Sequence, residues 1–206
     1  MQDNTNPSPP PETIHYRNIP PSTGGPFPLS SPIGTRDCQT CVGLFIPISA
    51  EKCYVAHINA TIRVGGSYTY LHKVQDDEGS RLEEKVLARL KVIASQERWD
   101  PQDVDASKVI VVCPRPDAPF VGWYVVNGIS AFFGGRVGHE DVVRGCHGFV
   151  VDPERGKRYF LPSEGFTLSD SLEEQWVQEV GDRPYRFLVE ELKSARDEWA
   201  PEVTRW

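Results

Sequence analysis

Two β-rich segments separated by Pro47 to Glu51 constrain this chain more than any other stretch of it. Val42-Gly43-Leu44-Phe45-Ile46 is short and apolar, and Lys52-Cys53-Tyr54-Val55-Ala56-His57-Ile58-Asn59-Ala60 alternates between two faces, so together they predict a hairpin. A turn centred on Ser49 places Cys41 opposite His57, with Cβ atoms about 4.5 to 5.5 Å apart. A slip of one residue would put the two on different faces. A thiol and an imidazole held together are the nucleophile and base of thiol-dependent chemistry. A free thiol titrates near about 8.5, and an adjacent imidazole can draw it into a thiolate–imidazolium pair at neutral pH. Such a pair attacks amide or ester carbonyls.

A chain of 206 residues with 39% hydrophobic content, five Trp, seven Tyr and nine Phe can bury one substantial core. The net charge is −7 and no Lys/Arg run exceeds two residues, so no nucleic-acid partner is expected. No apolar run approaches the ~18 residues of a membrane helix, and the polar, proline-rich start lacks the basic and apolar regions of a secretory signal. The expectation is a soluble protein of the cytoplasm, with the nucleus as a further compartment and no membrane partner. Five cysteines in a chain without a signal favour reduced thiols over a disulfide framework.

Half of the eighteen prolines fall within residues 1–32, among Ser, Asn, Thr and Gly. A disordered or extended tail is predicted there, with one folded domain over residues 33–206. Within the tail, Thr13 to Arg17 is a candidate edge strand. After the hairpin, Gly65-Gly66 and Gln75 to Gly79 are loop signals. Ser80 and Glu83 form a capping box that opens a helix with Leu82, Val86, Leu90 and Ile93 on its buried face. That helix stops near Trp99-Asp100-Pro101, and Lys108 to Cys113 reads as a buried strand ended by Pro114. Phe120 to Val126 and Ile129 to Phe133 are predicted strands, joined by Asn127-Gly128, a pair suited to a two-residue hairpin turn. Gly148 to Asp152 and Lys157 to Leu161 form a third hairpin around Pro153 to Gly156. Ser171 and Glu174 cap a helix carrying Trp176 and Val180, and Tyr185, Leu188, Leu192, Ala195 and Trp199 mark a last helix. Strands, one helix, more strands and then helices give an α+β fold, a largely antiparallel, β-sandwich-like sheet assembly with helices packed on it. The chain has no internal repeat and no heptad run, and nothing in it sets an oligomeric state.

Ile33-Gly34-Thr35-Arg36-Asp37-Cys38-Gln39-Thr40-Cys41, followed by the strand to His57, resembles the active-site stretch of a superfamily of cysteine-dependent protein deamidases. Its members include bacterial chemoreceptor glutamine deamidases, cytotoxic necrotizing factor toxins and protein N-terminal asparagine amidohydrolases. Thr35, Cys41 and His57 are similar in order and spacing to the residues of the chemoreceptor enzymes. The likeness to the asparagine amidohydrolases is closer, since a glycine, a small hydroxyl residue, an aspartate and a Thr-Cys pair recur there as Gly34, Thr35, Asp37, Thr40 and Cys41 do here.

The resemblance implies an α/β sandwich in which Cys41 attacks a carboxamide carbon and His57 shuttles the proton. Ammonia leaves, and water hydrolyses the thioester. It makes Thr35 the candidate orienter of His57 and the N–H of Cys41 a candidate oxyanion donor, with Thr40 and Gln39 as further contributors. Thr40, Gln39 and Asn59 are the candidate substrate contacts. The expected reaction is hydrolysis of an Asn or Gln carboxamide, at a protein or peptide N-terminus or else on an internal side chain. No cofactor and no metal are implied, and the partner is the protein or peptide substrate.

Other chemistries fit parts of the same pattern. Cys38, Cys41, Cys53 and His57 are spaced C-x2-C-x11-C-x3-H, as four zinc ligands could be, although Cys53 and His57 stand about 13 Å apart if both lie on one strand. Cys38 and Cys41 form a C-x-x-C pair, but a β-like run follows it where redox chemistry wants a helix, and a disulfide between them would consume Cys41. The same dyad suits a thiol protease or acyl transferase. A Cys and a His on half-buried strands also serve as packing residues. That reading leads to a non-catalytic interaction module with structural or zinc-bound thiols and the proline-rich tail as a partner-binding segment. Gly134 to His139 lacks the spacing of a phosphate loop. His139, Cys146 and His147 are candidate pocket residues, and Trp123 and Tyr124 candidate substrate contacts or core.

Overall fold

The computed structural model describes residues 14, 16–58, 61–64, 67–70, 73 and 76–162. Among these, β1 (Arg17–Asn18), β2 (Thr23–Pro28), β3 (Ile33–Thr35), β4 (Val42–Pro47) and β5 (Lys52–Ile58) come first. Then follow β6 (Thr61–Val64), β7 (Ser67–Tyr70), α1 (Asp76–Glu97), β8 (Ile110–Val112), α2 (Val121–Phe132), β9 (Cys146–Asp152) and β10 (Lys157–Pro162). The fold is mixed α+β. One four-stranded sheet runs β1-β3-β9-β10 and the other β2-β5-β4-β8, with β6 and β7 paired separately. All pairings are antiparallel except β1 with β3.

The alternation of β4 and β5 assigns each face of the second sheet. Leu44, Ile46, Tyr54, Ala56 and Ile58 share a core with Leu82, Val86 and Leu90 of α1 and with Val125 and Ile129 of α2. Phe45, Cys53, Val55 and Val112, on the other face, share a core with Ile33, Phe149 and Val151 of the first sheet. Gly43 and His57 belong by parity to this second face. β5 therefore runs between two cores, which is why all its residues after Lys52 are buried. Ile14 and Tyr16 cover Val150 and Leu161 in a third, smaller cluster.

The predicted buried face of α1, the buried strand β8 and the β9–β10 hairpin all form. The predicted tail is corrected in its second half. Thr23-Gly24-Gly25-Pro26-Phe27-Pro28 is an edge strand in register with β5, and its prolines point out at exposed positions. An edge strand tolerates residues that lack an N–H, so a proline-rich text can still be a strand. The short strand β1 overlaps the candidate edge segment at its last residue, Arg17, and continues to Asn18.

The two strands expected over 120–133 are instead the single helix α2. Asn127-Gly128 is no turn. A Cβ at Gly128 would stand 2.7 Å from the Glu83 carbonyl oxygen and 2.8 Å from Val86 Cβ, so the glycine lets α2 settle onto α1. Tertiary packing on both sides overrides the β-branched, aromatic composition of this stretch. α1 also starts earlier than predicted, at Asp76. Ser80 lies inside it, bonded to the Asp76 carbonyl, and Asp76, Asp77 and Glu78 favour the positive end of the helix. The helices predicted around Trp176 and Leu188 lie outside the described residues.

Candidate active site

His57 is the next-to-last residue of β5, flanked by β2 on one side and β4 on the other, and is fully buried. Its cross-strand neighbour on β4 is Gly43, and this corrects the predicted register. The turn centres on Ala50, because Ile48 and Ser49 both donate to the Lys52 carbonyl. Cys41 thus falls just before β4. The shift is an even number of residues, so Gly43 stands on the face of His57, while Cys41 lies outside the strand and the alternation assigns it no face.

The missing side chain at Gly43 makes room for the groups that meet His57. A Cβ there would lie 2.9 Å from Thr35 Cγ2, 3.2 Å from Cys38 Sγ and 3.2 Å from the Phe149 ring. Thr35, the last residue of β3, places Oγ1 2.8 Å from His57 Nδ1 and 2.7 Å from the Ile19 carbonyl oxygen. The hydroxyl has one proton and donates it to Ile19, so it accepts from a protonated Nδ1. The lone pair of His57 is therefore on Nε2, a buried atom with no hydrogen-bond partner among the described residues. Thr35 stands where the orienter of His57 was expected.

Burial controls the protonation states here. Desolvation pushes the His57 imidazole down to about 4, opposed by the backbone hydrogen bond at Ile19. Desolvation also raises the Cys41 thiol, opposed by the Thr40 hydroxyl and backbone. Both shifts run against the expected thiolate–imidazolium pair. At neutral pH the resting site holds a neutral thiol and a neutral imidazole, because neither charged form has enough polar surroundings to replace water.

One thiol touches the histidine, and a second lies three residues further along the chain. Cys38 Sγ lies 3.9 Å from His57 Nδ1, is fully buried, and is raised well above the ordinary thiol range by burial and then by its neighbour Cys41. Because Nδ1 carries a proton, it cannot take one from Cys38. Cys41 keeps 7% of its surface accessible and has the Thr40 hydroxyl 4.0 Å from its sulfur. It is the more accessible thiol of the two. The Gln39 N–H, a predicted oxyanion contributor, is committed to the Asp37 carbonyl at 2.8 Å. Asn59 lies outside the described residues.

The zinc pattern does not converge. Cys53 starts at the far end of β5 and its thiol donates to the Phe27 carbonyl, and no group of three or more His, Cys, Asp or Glu among the described residues could hold a metal ion. The C-x-x-C pair leads into strand β4 and opens no helix. His139 stacks on Trp123 at 3.9 Å and bonds Asn127, and the Tyr124 hydroxyl donates to Asp76, so these residues serve the helical layer.

His147 contributes differently from expectation. Its Nδ1 accepts the Asp37 N–H at 3.0 Å and its carbonyl accepts the Cys38 N–H at 2.7 Å. No sequence signal tied it to the thiols, since the contact joins residues more than a hundred positions apart. Cys38, by contrast, was legible as the partner of Cys41 in the C-x-x-C pair.

No family model matches the chain, and no curated protein sequence matches it either. Among the described residues, no helix is long and apolar enough to cross a membrane.

Proposed function

We propose that this chain is a thiol-dependent amidohydrolase of the cysteine-dependent protein deamidase superfamily, acting in the cytoplasm or nucleus. It converts an Asn or Gln carboxamide, at a protein or peptide N-terminus, to the acid with release of ammonia. One observation carries the reading: Thr35 holds His57 through Nδ1 and leaves Nε2 as a bare, buried base. A packing histidine would be expected to pair both of its buried nitrogens. The two shared cores support a sandwich-like arrangement of the sheets, with His57 on a face between them.

In the proposed reaction the neutral Cys41 thiol passes its proton to His57 Nε2 as the sulfur attacks the amide carbon. The imidazolium then protonates the leaving nitrogen, and ammonia departs. Water, deprotonated by the same nitrogen, attacks the thioester carbon, and the thiol is restored. Thr35 stabilises the imidazolium by accepting from Nδ1 throughout. The N–H groups of Thr40 and Cys41 are the candidate oxyanion donors.

The test is ammonia release, with conversion of amide to acid followed by mass spectrometry, from peptides bearing Asn or Gln at the N-terminus or internally. Activity is expected to vanish in Cys41→Ala and His57→Ala and to survive in Cys38→Ala. Unchanged activity in Cys41→Ala sinks the proposal, and peptide cleavage without ammonia makes the protein a thiol protease.

A further inference from the structure

The segment leading to Cys41 is tied to β9 through one residue. β9 and β10 pair regularly from Lys157↔Asp152 to Leu161↔Gly148, but the next pair is Pro162↔Cys146, which leaves His147 as the extra residue of a β-bulge. A bulge re-aims the side chain of its extra residue out of the ordinary alternation. Here the ring takes the Asp37 N–H and the carbonyl takes the Cys38 N–H. These bonds hold Asp37 at a φ of 64°, the left-handed region that costs an L-residue roughly 1 to 2 kcal/mol. The Gln39 N–H then closes on the Asp37 carbonyl, so three successive amides are committed between Thr35 and Cys41. Gly148 removes the remaining slack, since a Cβ there would stand 2.3 Å from the Thr35 carbonyl oxygen.

We infer that His147 is a positioning residue: it fixes the Asp37 turn and thereby sets where Cys41 sits relative to His57. Its kinetic consequence rests on the deamidase reading, whereas its structural consequence does not. His147 touches the Asp37 turn, and it acts through the path of the backbone. Its side chain is only 12% exposed, and its Nδ1 also lies 3.7 Å from the Asp37 carboxylate.

The test compares His147→Ala, His147→Asn and His147→Gln in the full-length protein. The short Asn side chain can put its carbonyl where Nδ1 stands, whereas Gln places it nearer the Nε2 position. Amide hydrogen exchange over residues 36–41 is measured beside kcat and KM for ammonia release from an N-terminal asparagine peptide. His147→Ala is expected to speed exchange at Asp37 by about tenfold and to lower kcat by about tenfold, with KM nearly unchanged. His147→Asn should restore both and His147→Gln neither. If His147→Ala does not fold, the Asn and Gln pair decides the matter. Unchanged exchange, lost protection without a fall in kcat, or Asn no better than Gln each overturn the inference. A wild type that releases no ammonia overturns the deamidase reading instead. Positioning is then judged by exchange together with iodoacetamide alkylation of Cys41, whose rate His147→Ala must change by about tenfold and His147→Asn must not.

Discussion

Replacing Thr35 with valine exchanges a buried hydroxyl for a methyl of nearly the same size and leaves the β3 backbone intact. Two polar groups lose the hydroxyl: the Ile19 carbonyl, 2.7 Å from Oγ1, and the His57 Nδ1–H, 2.8 Å from it, and the backbone hydrogen bond of His57 at Ile19 remains between them. Both Thr35 and His57 are fully buried, so water does not replace the hydroxyl. A buried group left short of a partner costs about 1 to 3 kcal/mol, and because His57 and the Ile19 carbonyl keep each other, the substitution predicts destabilisation of roughly that size. Cys38 Sγ, 3.9 Å from Nδ1, offers a weak substitute acceptor and favours the lower end. Thr35→Ser keeps the hydroxyl and removes one methyl beside Gly43, which costs only about 1 kcal/mol.

Urea unfolding followed by tryptophan fluorescence measures both, read as a shift of midpoint at constant slope. Ammonia release should fall about a hundredfold in Thr35→Val, because the ring is no longer held with Nε2 bare, and should persist in Thr35→Ser. A valine variant within about 0.5 kcal/mol of the serine variant, with equal activity, would refute the reasoning. The hydroxyl would then not be what holds His57.

Three further outcomes are expected. His57 titrates at about 4 when folded against an ordinary 6.5, so its stabilising contribution is complete above the unfolded value and is lost as pH falls through the folded one. The loss is about 3 kcal/mol between those limits, and denaturant melts of wild type against His57→Asn should diverge by that amount across the window. Gly43→Ala presses a methyl against Thr35, Cys38 and Phe149 at 2.9 to 3.2 Å, and should cost about 1 to 3 kcal/mol in thermal or urea melts while separating Thr35 from His57. Cys41, raised by burial, should alkylate slowly at pH 7 and faster only above the ordinary thiol range, with Cys38 slower still. Rapid labelling of Cys41 below pH 7, followed by mass spectrometry, would show a preformed thiolate and contradict the neutral resting site.

Local signals in the chain were sufficient for several elements. The periodicity of Leu82, Val86, Leu90 and Ile93 marked the buried face of α1, and Pro153 to Gly156 marked the turn between β9 and β10. The Gly34, Thr35, Thr40 and Cys41 pattern with His57 nominated the candidate residues, of which Thr35 and His57 are hydrogen-bonded. Turn chemistry misled at Asn127-Gly128, where the glycine serves helix packing, and proline content concealed β2, whose partner β5 lies far along the chain.

By itself the sequence determined which residue types lie close along the chain and with what period, and that was enough for the α+β class and for naming Thr35 and His57, which the structure brings into contact, as candidates beside Cys41. Only the tertiary structure decided the β4–β5 register, the anchoring of the Asp37 turn by His147, and the ring nitrogen left bare. It also decided the charge state of the site. A pattern of residues cannot specify solvation, and His57 is neutral at pH 7 because its full burial removes the water that would stabilise its charge.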